Sequence, residues 1–181
     1  MNGFLKISGE YTSWNVYRKS VIICDVTEMF IRRALPCGSR TIDQMRQAAR
    51  SCKQNIVEGV SDGTVSTEMC IKLIGVARGS VMELREDYAD FLRQHKCEIW
   101  GKDDPRTLAT RNYSRTHYDA REYVDKCEAR SNETVANIML TLIRQMEAML
   151  AKVLKALEAQ FLEDGGLKEA MSRERRKRRG Y

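Results

Sequence analysis

The sequence predicts an all-α fold: an antiparallel four-helix bundle with an insertion between helices three and four and a basic C-terminal tail. Three observations predict it. Apolar residues recur at steps of three and four through four long segments, no segment alternates like a strand, and the only two prolines, Pro36 and Pro105, fall between those segments. On this reading the bundle occupies residues 1–165, with the insertion at about 101–130, and residues 166–181 form a suffix that carries the basic tail.

The first segment is WNVYRKSVIICDVTEMFIRRAL, residues 14–35. Tyr17, Val21, Cys24, Thr27 or Glu28, Ile31 and Leu35 set a helical seam, and Pro36-Cys37-Gly38 stops it. In the second, residues 40–58, Ile42, Met45, Ala49, Cys52 and Ile56 make a cleaner stripe. Gly59 reads as its C-cap, with Asn55 and Glu58 bonding to the following turn. The third, 66–95, opens on Ser66 or Thr67 as N-cap, with Glu68 in the first turn. Its seam is Cys70, Leu73, Ala77, Val81, Leu84, Tyr88 and Phe91. Gly75, Gly79 and Ser80 are small enough for another helix to approach closely, and glycine inside a helix costs roughly 1 kcal/mol against alanine.

Residues 101–117, GKDDPRTLATRNYSRTH, read as a connection, and a short helix follows at 118–130. The last long helix is 132–163, capped by Ser131 or Asn132 and ended by Gly165-Gly166. Val135, Ile138, Leu142, Met146, Met149, Val153, Leu157 and Phe161 form its seam.

Composition narrows the function classes. Hydrophobic residues are 43% and charged residues 31%, which suits a folded, water-soluble chain, and neither a signal peptide nor a membrane span is expected. The six cysteines form no CxxC pair and read as reduced thiols of a cytoplasmic protein. The formal net charge of +6 is unevenly spread. Residues 172–181, SRERRKRRGY, hold six basic residues and one acid, a net +5, which leaves +1 for residues 1–171. Such a tail attracts phosphate backbones by counterion release without reading sequence, or is simply a solvated terminus.

A second basic feature lies in RTIDQMRQAARSCKQNIVEG, residues 40–59. At about 100° per residue, Arg46, Arg50 and Lys53 share a strip along one flank of the apolar seam. The strip is either available to an anion or a solvated face whose stems cover the core edge. The opposite flank, Gln44, Ala48, Ser51 and Asn55, suggests a further contact such as a neighbouring subunit. In the insertion, Arg106, Arg111, Tyr113, Arg115, Tyr118, Arg121 and Tyr123 interleave cations with rings that can stack on unpaired bases. Residues 102–130 nevertheless hold seven basic and six acidic residues, so a solvated loop with its tyrosines packed on the bundle is the expected state.

No catalytic residues, cofactor or metal site are expected. The histidines, His95 and His117, lie near or beyond helix ends, and neither has a Glu three residues earlier as a di-iron bundle requires. Residues 95–97, HKC, are too sparse for zinc, and no GxxxxGK[ST] loop exists. Glu58 and Glu83 as a carboxylate pair are a weak signal.

DQMRQAARSCKQNIVEG followed by IKLIGVARGSVMEL resembles the two central motifs of the four-helix-bundle family named for 23S rRNA intervening-sequence proteins. The core of the resemblance covers residues 14–95, with the fourth helix at 132–163. The segment NIMLTLIRQMEAMLAKVLKALEAQFLEDGGLKEAM is similar to the C-terminal extension of the suffix subgroup of that family. A related fold is that of the accessory variability protein of diversity-generating retroelements, a pentameric barrel with a basic surface. The resemblance implies a homo-oligomer, a pentamer, that works with RNA and with a reverse transcriptase on another chain.

Two functional readings follow. One is a non-catalytic RNA-binding scaffold that uses Arg46, Arg50 and Lys53 on the bundle and Arg173, Arg175, Arg176, Lys177, Arg178 and Arg179 on the tail, mostly through phosphate contacts. The other is a protein-interaction module without nucleic-acid binding.

Overall fold

Helix starts and stops follow the local chemistry of the chain. The computed structural model describes residues 11–60, 66–164 and 175–176; the bundle seams and most caps fall inside that range, and Gly165-Gly166 lie outside it. Among the described residues the chain is all-helical and contains no strand. A 3-10 turn at Tyr11–Ser13 leads into α1 (Asn15–Ala34), then α2 (Arg40–Val60), α3 (Thr67–Gln94), α4 (Pro105–Tyr113), α5 (Ala120–Glu128) and α6 (Asn132–Asp164).

Short polar side chains set most of the N-termini. Ser66 Oγ accepts from Met69 N at 3.3 Å, and Ser131 Oγ accepts from Thr134 N at 3.2 Å. Asp119 Oδ1 accepts from Arg121 N and Glu122 N at 2.9 and 3.2 Å. Between α1 and α2, the Pro36–Ser39 turn closes with Ser39 N donating to Pro36 O at 3.1 Å. Gly38 takes φ +83°, a conformation that a side chain would strain, and Cys37 beside it is exposed. The end of α3 uses the same left-handed geometry without a glycine: Lys96 has φ 56°. Its N–H reaches Arg93 O at 3.2 Å while Cys97 N reaches Leu92 O at 2.9 Å, so two terminal carbonyls are satisfied.

The four long helices bury one shared apolar core. α1 packs on α2, α5 and α6; α3 packs on α2 and α6; α4 lies against α6. Phe30, Tyr88 and Phe91 meet at its centre, with ring centroids 4.9 Å apart for both Phe30–Tyr88 and Phe30–Phe91. Tyr88 is fully buried, and its hydroxyl donates to Thr27 Oγ1 at 3.1 Å. Cys52, Cys70 and Cys127 are buried as small apolar groups, and half-buried Cys24 donates to Ala49 O at 3.0 Å.

Several expectations shift. The buried face of α1 is Val16, Lys19, Ser20, Ile22, Ile23, Val26, Thr27, Phe30 and Ile31; it keeps Thr27 and Ile31 of the expected seam but is rotated so that Tyr17, Val21 and Cys24 fall on its flank. The cause is that α1 is covered from three sides and spends buried positions on polar Lys19 and Ser20. Gly59 is not a cap. It is a buried residue inside α2, and a Cβ there would lie 3.4 Å from Leu73 Cβ and Ile74 Cδ1, so the close approach of α2 and α3 occurs here. Gly75 and Gly79 are exposed, with nothing within 4 Å of an added Cβ. The Ala48–Ser51 flank meets α3 of the same chain: Ala48 is buried, and Ser80 Oγ donates to Ser51 Oγ at 2.9 Å. Asn55 bonds backwards, Nδ2 to Ser51 O at 2.8 Å, rather than to the turn that follows.

The insertion is largely helical. Residues 101–117 contain α4, which starts on Asp104 as N-cap, with Pro105 in its first turn and Arg106 N donating to Asp104 Oδ1 at 2.8 Å. Buried Trp100 N donates to Asn137 Oδ1 at 2.8 Å, and Asn137 Nδ2 donates to Glu98 O at 2.9 Å, which pins the entry segment of the insertion to α6. At its exit, Arg33 Nε donates to Asn132 Oδ1 at 2.7 Å and Nη1 to Glu128 O at 3.0 Å. That guanidinium sits at the negative end of α5.

Candidate nucleic-acid interface

The Arg46, Arg50, Lys53 strip emerges on α2 where the helical geometry requires, but α1 brings carboxylates to it. Arg46 Nε donates to Glu28 Oε2 at 2.9 Å and Nη2 to Glu28 Oε1 at 3.2 Å, and Nη1 reaches Asp43 Oδ1 at 3.2 Å. The Arg46 bond, with that of Arg32, holds the Glu28 carboxyl below its ordinary range. Arg50 is exposed and has no ion-pair partner among the described residues. Lys53 is half-buried and within electrostatic reach of Asp25, whose carboxyl is raised by burial and drawn back by that ammonium. The strip is therefore three cations set among Glu28, Asp43 and Asp25, with Arg50 the member free to meet an anion. Of the tail, Arg175 and Arg176 are exposed in a helical turn, while Arg173, Lys177, Arg178 and Arg179 lie outside the described residues.

The tyrosines of the insertion pack inward. Tyr123 is buried, and Tyr113 and Tyr118 are half-buried against the core. Tyr113 stacks on His117 at 3.8 Å and donates to Glu122 Oε1 at 2.5 Å. Arg18 lies over the Tyr118 ring at 4.8 Å and Arg106 over the Trp100 ring at 4.7 Å, so these planar cations are engaged in part by aromatic faces. Arg106 also pairs with Asp104 at 2.7 Å and Glu98 at 2.9 Å.

Two groups went unnoticed in the sequence. Lys19, 2% exposed, donates its ammonium to Ser114 O and Gln145 Oε1, both at 3.1 Å, with no carboxylate beside it. Burial pushes that ammonium down to about 8. In sequence the only sign was a lysine in helical step with Val16, Ile23, Val26 and Phe30. The other group is Asp87, in a groove of about 490 Å³ between α2 and α3 that Glu83, Glu86, Ser51 and Ser80 also line. Burial, then Asp90 and Glu83, push its carboxyl up to about 6. This groove is acidic and does not suit a nucleic acid. Glu58 is exposed elsewhere on α2 and does not line it.

No group of three or more His, Cys, Asp or Glu side chains that could hold a metal occurs among the described residues. His95 stacks on Phe91 at 4.2 Å with Nδ1 2.8 Å from Phe91 O. No helix of the described residues is long and apolar enough to cross a membrane. No family model, curated protein or solved structure matches the chain.

Proposed function

We propose that the protein is a non-catalytic, oligomeric RNA-binding scaffold on an antiparallel four-helix bundle of α1, α2, α3 and α6. The observation that carries this reading is the concentration of six basic residues in the ten of SRERRKRRGY, beside a body of net +1. Arg50 on α2 adds an exposed cation without a carboxylate partner. Contacts are to phosphates, with little base readout. The resemblance to the intervening-sequence bundles and the retroelement accessory protein supports a cytoplasmic homopentamer that assists a reverse transcriptase and its template RNA.

The test is binding of a labelled single-stranded RNA at increasing salt, with the full chain and with residues 172–181 removed. Six lost phosphate contacts correspond to a change of about 4 in the slope of log affinity against log salt. Equal slopes for the two proteins refute the role of the tail.

A second reading, a docking module for protein, is favoured by one surface. Met69 and Val76, seven residues apart and so on one face of α3, are 47% and 52% exposed, and Gly79 beside them is open. A helix of a second copy would find apolar contact and close backbone approach there. If this face closes the oligomer, Val76→Lys lowers the mass measured by light scattering to that of a monomer and spares the helical circular dichroism. An unchanged mass removes this face from the assembly.

A further inference from the structure

The cavities of the fold differ in charge, and one of them brings three cations together without a carboxylate. Between α4 and α6 lies a cavity of about 340 Å³, bounded by Lys102, Thr107, Arg111, Thr141, Arg144 and Gln145 with Ala148. That volume is on the order of ten waters. No carboxylate lines it, whereas Glu83, Glu86 and Asp87 line the groove between α2 and α3, and Asp25, Glu28 and Glu128 line the one beside α1. The cavity between α4 and α5 also has only cations among its charged lining, Lys126 and Arg130, but Lys126 there is paired with Glu122 at 2.7 Å. Among the described residues Arg111 and Arg144 have no ion-pair partner, and Lys102 has only a 3.9 Å approach to Asp103, with both side chains more than four-fifths exposed. Such a pair contributes little.

Three further features mark the site as built rather than incidental. Thr107 is 4% exposed, and its hydroxyl is one of two buried side-chain polar atoms without a partner among the described residues. A buried hydroxyl left unpaired is costly and rare in native proteins, and this one sits sealed within the wall of the cavity. Gln145 is held rigidly: Oε1 accepts from Lys19 Nζ at 3.1 Å and Ser114 Oγ at 2.6 Å, and Nε2 donates to Arg111 O at 3.3 Å. The buried Lys19 ammonium bonds to Gln145 and so adds a positive charge next to the lining, and no carboxylate among the described residues bonds to it.

We propose that this α4–α6 cavity is a phosphate-binding site, in which Arg111, Arg144 and Lys102 pair with the phosphate oxygens. Guanidinium groups suit this ligand because their paired N–H groups match two phosphate oxygens at once. The phosphate comes either from an RNA backbone, in which case the site deepens the RNA-binding reading above, or from a free phosphate or phosphomonoester.

The experiment titrates the full chain with inorganic phosphate by calorimetry and with a fluorescein-labelled single-stranded RNA by anisotropy. It uses wild type, Arg111→Gln/Arg144→Gln and Thr107→Val. Both arginines are exposed, so the double variant keeps its helical circular dichroism. An affinity for inorganic phosphate that falls at least 10-fold in the double variant supports the site with free phosphate as the source. RNA affinity that falls about 10-fold in the double variant, with no heat from inorganic phosphate, supports it with the backbone as the source. In either case Thr107→Val, which leaves the three cations in place, changes the affinity of the responding ligand by less than about 2-fold while the unfolding midpoint holds or rises, because an unpaired buried hydroxyl has been removed. If neither ligand responds to the double variant, the proposal is overturned; RNA binding that persists then leaves the tail reading standing. If wild type binds phosphate but no RNA at all, the RNA reading falls and the site remains.

Discussion

Lys19 offers the sharpest test of the energetics. Its ammonium is buried without a carboxylate and drops from an ordinary 10.5 to about 8. At about 1.4 kcal/mol per pH unit, the charged amine costs the fold on the order of 3 kcal/mol at pH 7. Part of that is offset by its hydrogen bonds to Ser114 O and Gln145 Oε1. The direction with pH follows from which state holds the proton. Between pH 8 and 10.5 the unfolded chain keeps a proton on this amine that the folded chain has released, so stability rises with pH through that window. Lys19→Met removes the group and flattens the rise. It also leaves Ser114 O without its donor, a loss of about 1–3 kcal/mol, so the two proteins differ little at pH 7. Urea unfolding of wild type and Lys19→Met at steps from pH 7 to 10.5 isolates the term, since the other titrating groups are common to both. Wild type should gain roughly 3 kcal/mol on the variant across the series. Parallel profiles would refute the reasoning and mean that water reaches the amine.

Three further outcomes follow from the same geometry. Asp87→Asn removes a carboxyl raised to about 6, whose folded state binds its proton more tightly than the unfolded chain. The variant should be about 1–2 kcal/mol more stable at pH 7, after allowing for partial solvent screening, with the gain vanishing near pH 4 in urea titrations. Tyr88→Phe leaves the Thr27 hydroxyl unpaired in the core and should cost about 1–3 kcal/mol, most of it recovered in Tyr88→Phe/Thr27→Val when both are unfolded calorimetrically. Lys96→Gly relieves a side chain held at φ 56° and should raise stability by about 1 kcal/mol, while Lys96→Ala should give no such gain.

The parts of the fold that were legible in sequence are those where one face of a helix is buried and the other is wet. α2 and α3 meet that condition, and their seams match the buried residues closely: Met45, Ala49, Cys52 and Ile56; Ala77, Val81, Leu84 and Tyr88. α6 meets it only in part: Val135, Leu142, Met146 and Leu157 of its expected seam are buried, but so are Ala136, Met139, Leu140 and Ile143 around the helix, while Ile138, Met149, Val153 and Phe161 are half-buried. α1 departs from it. Packed by three helices and carrying Lys19 and Ser20 inside, it shows a periodicity that points to its flank. α4 has a single buried residue, Thr107, so it carries no stripe, and only Asp104-Pro105 announced its start. Glycine composition signalled close packing but not its place, because which helix approaches Gly59 and which leaves Gly75 open is a property of the tertiary arrangement. The basic strip was legible as a strip. Its neutralisation was not, since Glu28 lies 18 residues from Arg46 in the chain and only the packing of α1 on α2 brings them together. The α4–α6 cavity was illegible for the same reason: Lys102, Arg111 and Arg144 come from distant turns, and Arg144 reads as an ordinary exposed position of a long helix.

The turn between α1 and α2 has a chemical consequence of its own. Thiolates, not thiols, attack maleimides and disulfides. Burial pushes the thiols of Cys24, Cys52, Cys70 and Cys127 upward, Cys24 to about 11, and shields their sulfurs. Cys97 is half-buried, whereas Cys37 stands exposed next to Gly38 on a tight, hydrogen-bonded turn. Nature has thereby left a single convenient handle on the described surface: brief alkylation marks Cys37 first. A dye placed there sits on a hydrogen-bonded turn at one end of α1 and α2, where it can report whether two copies of the chain come together.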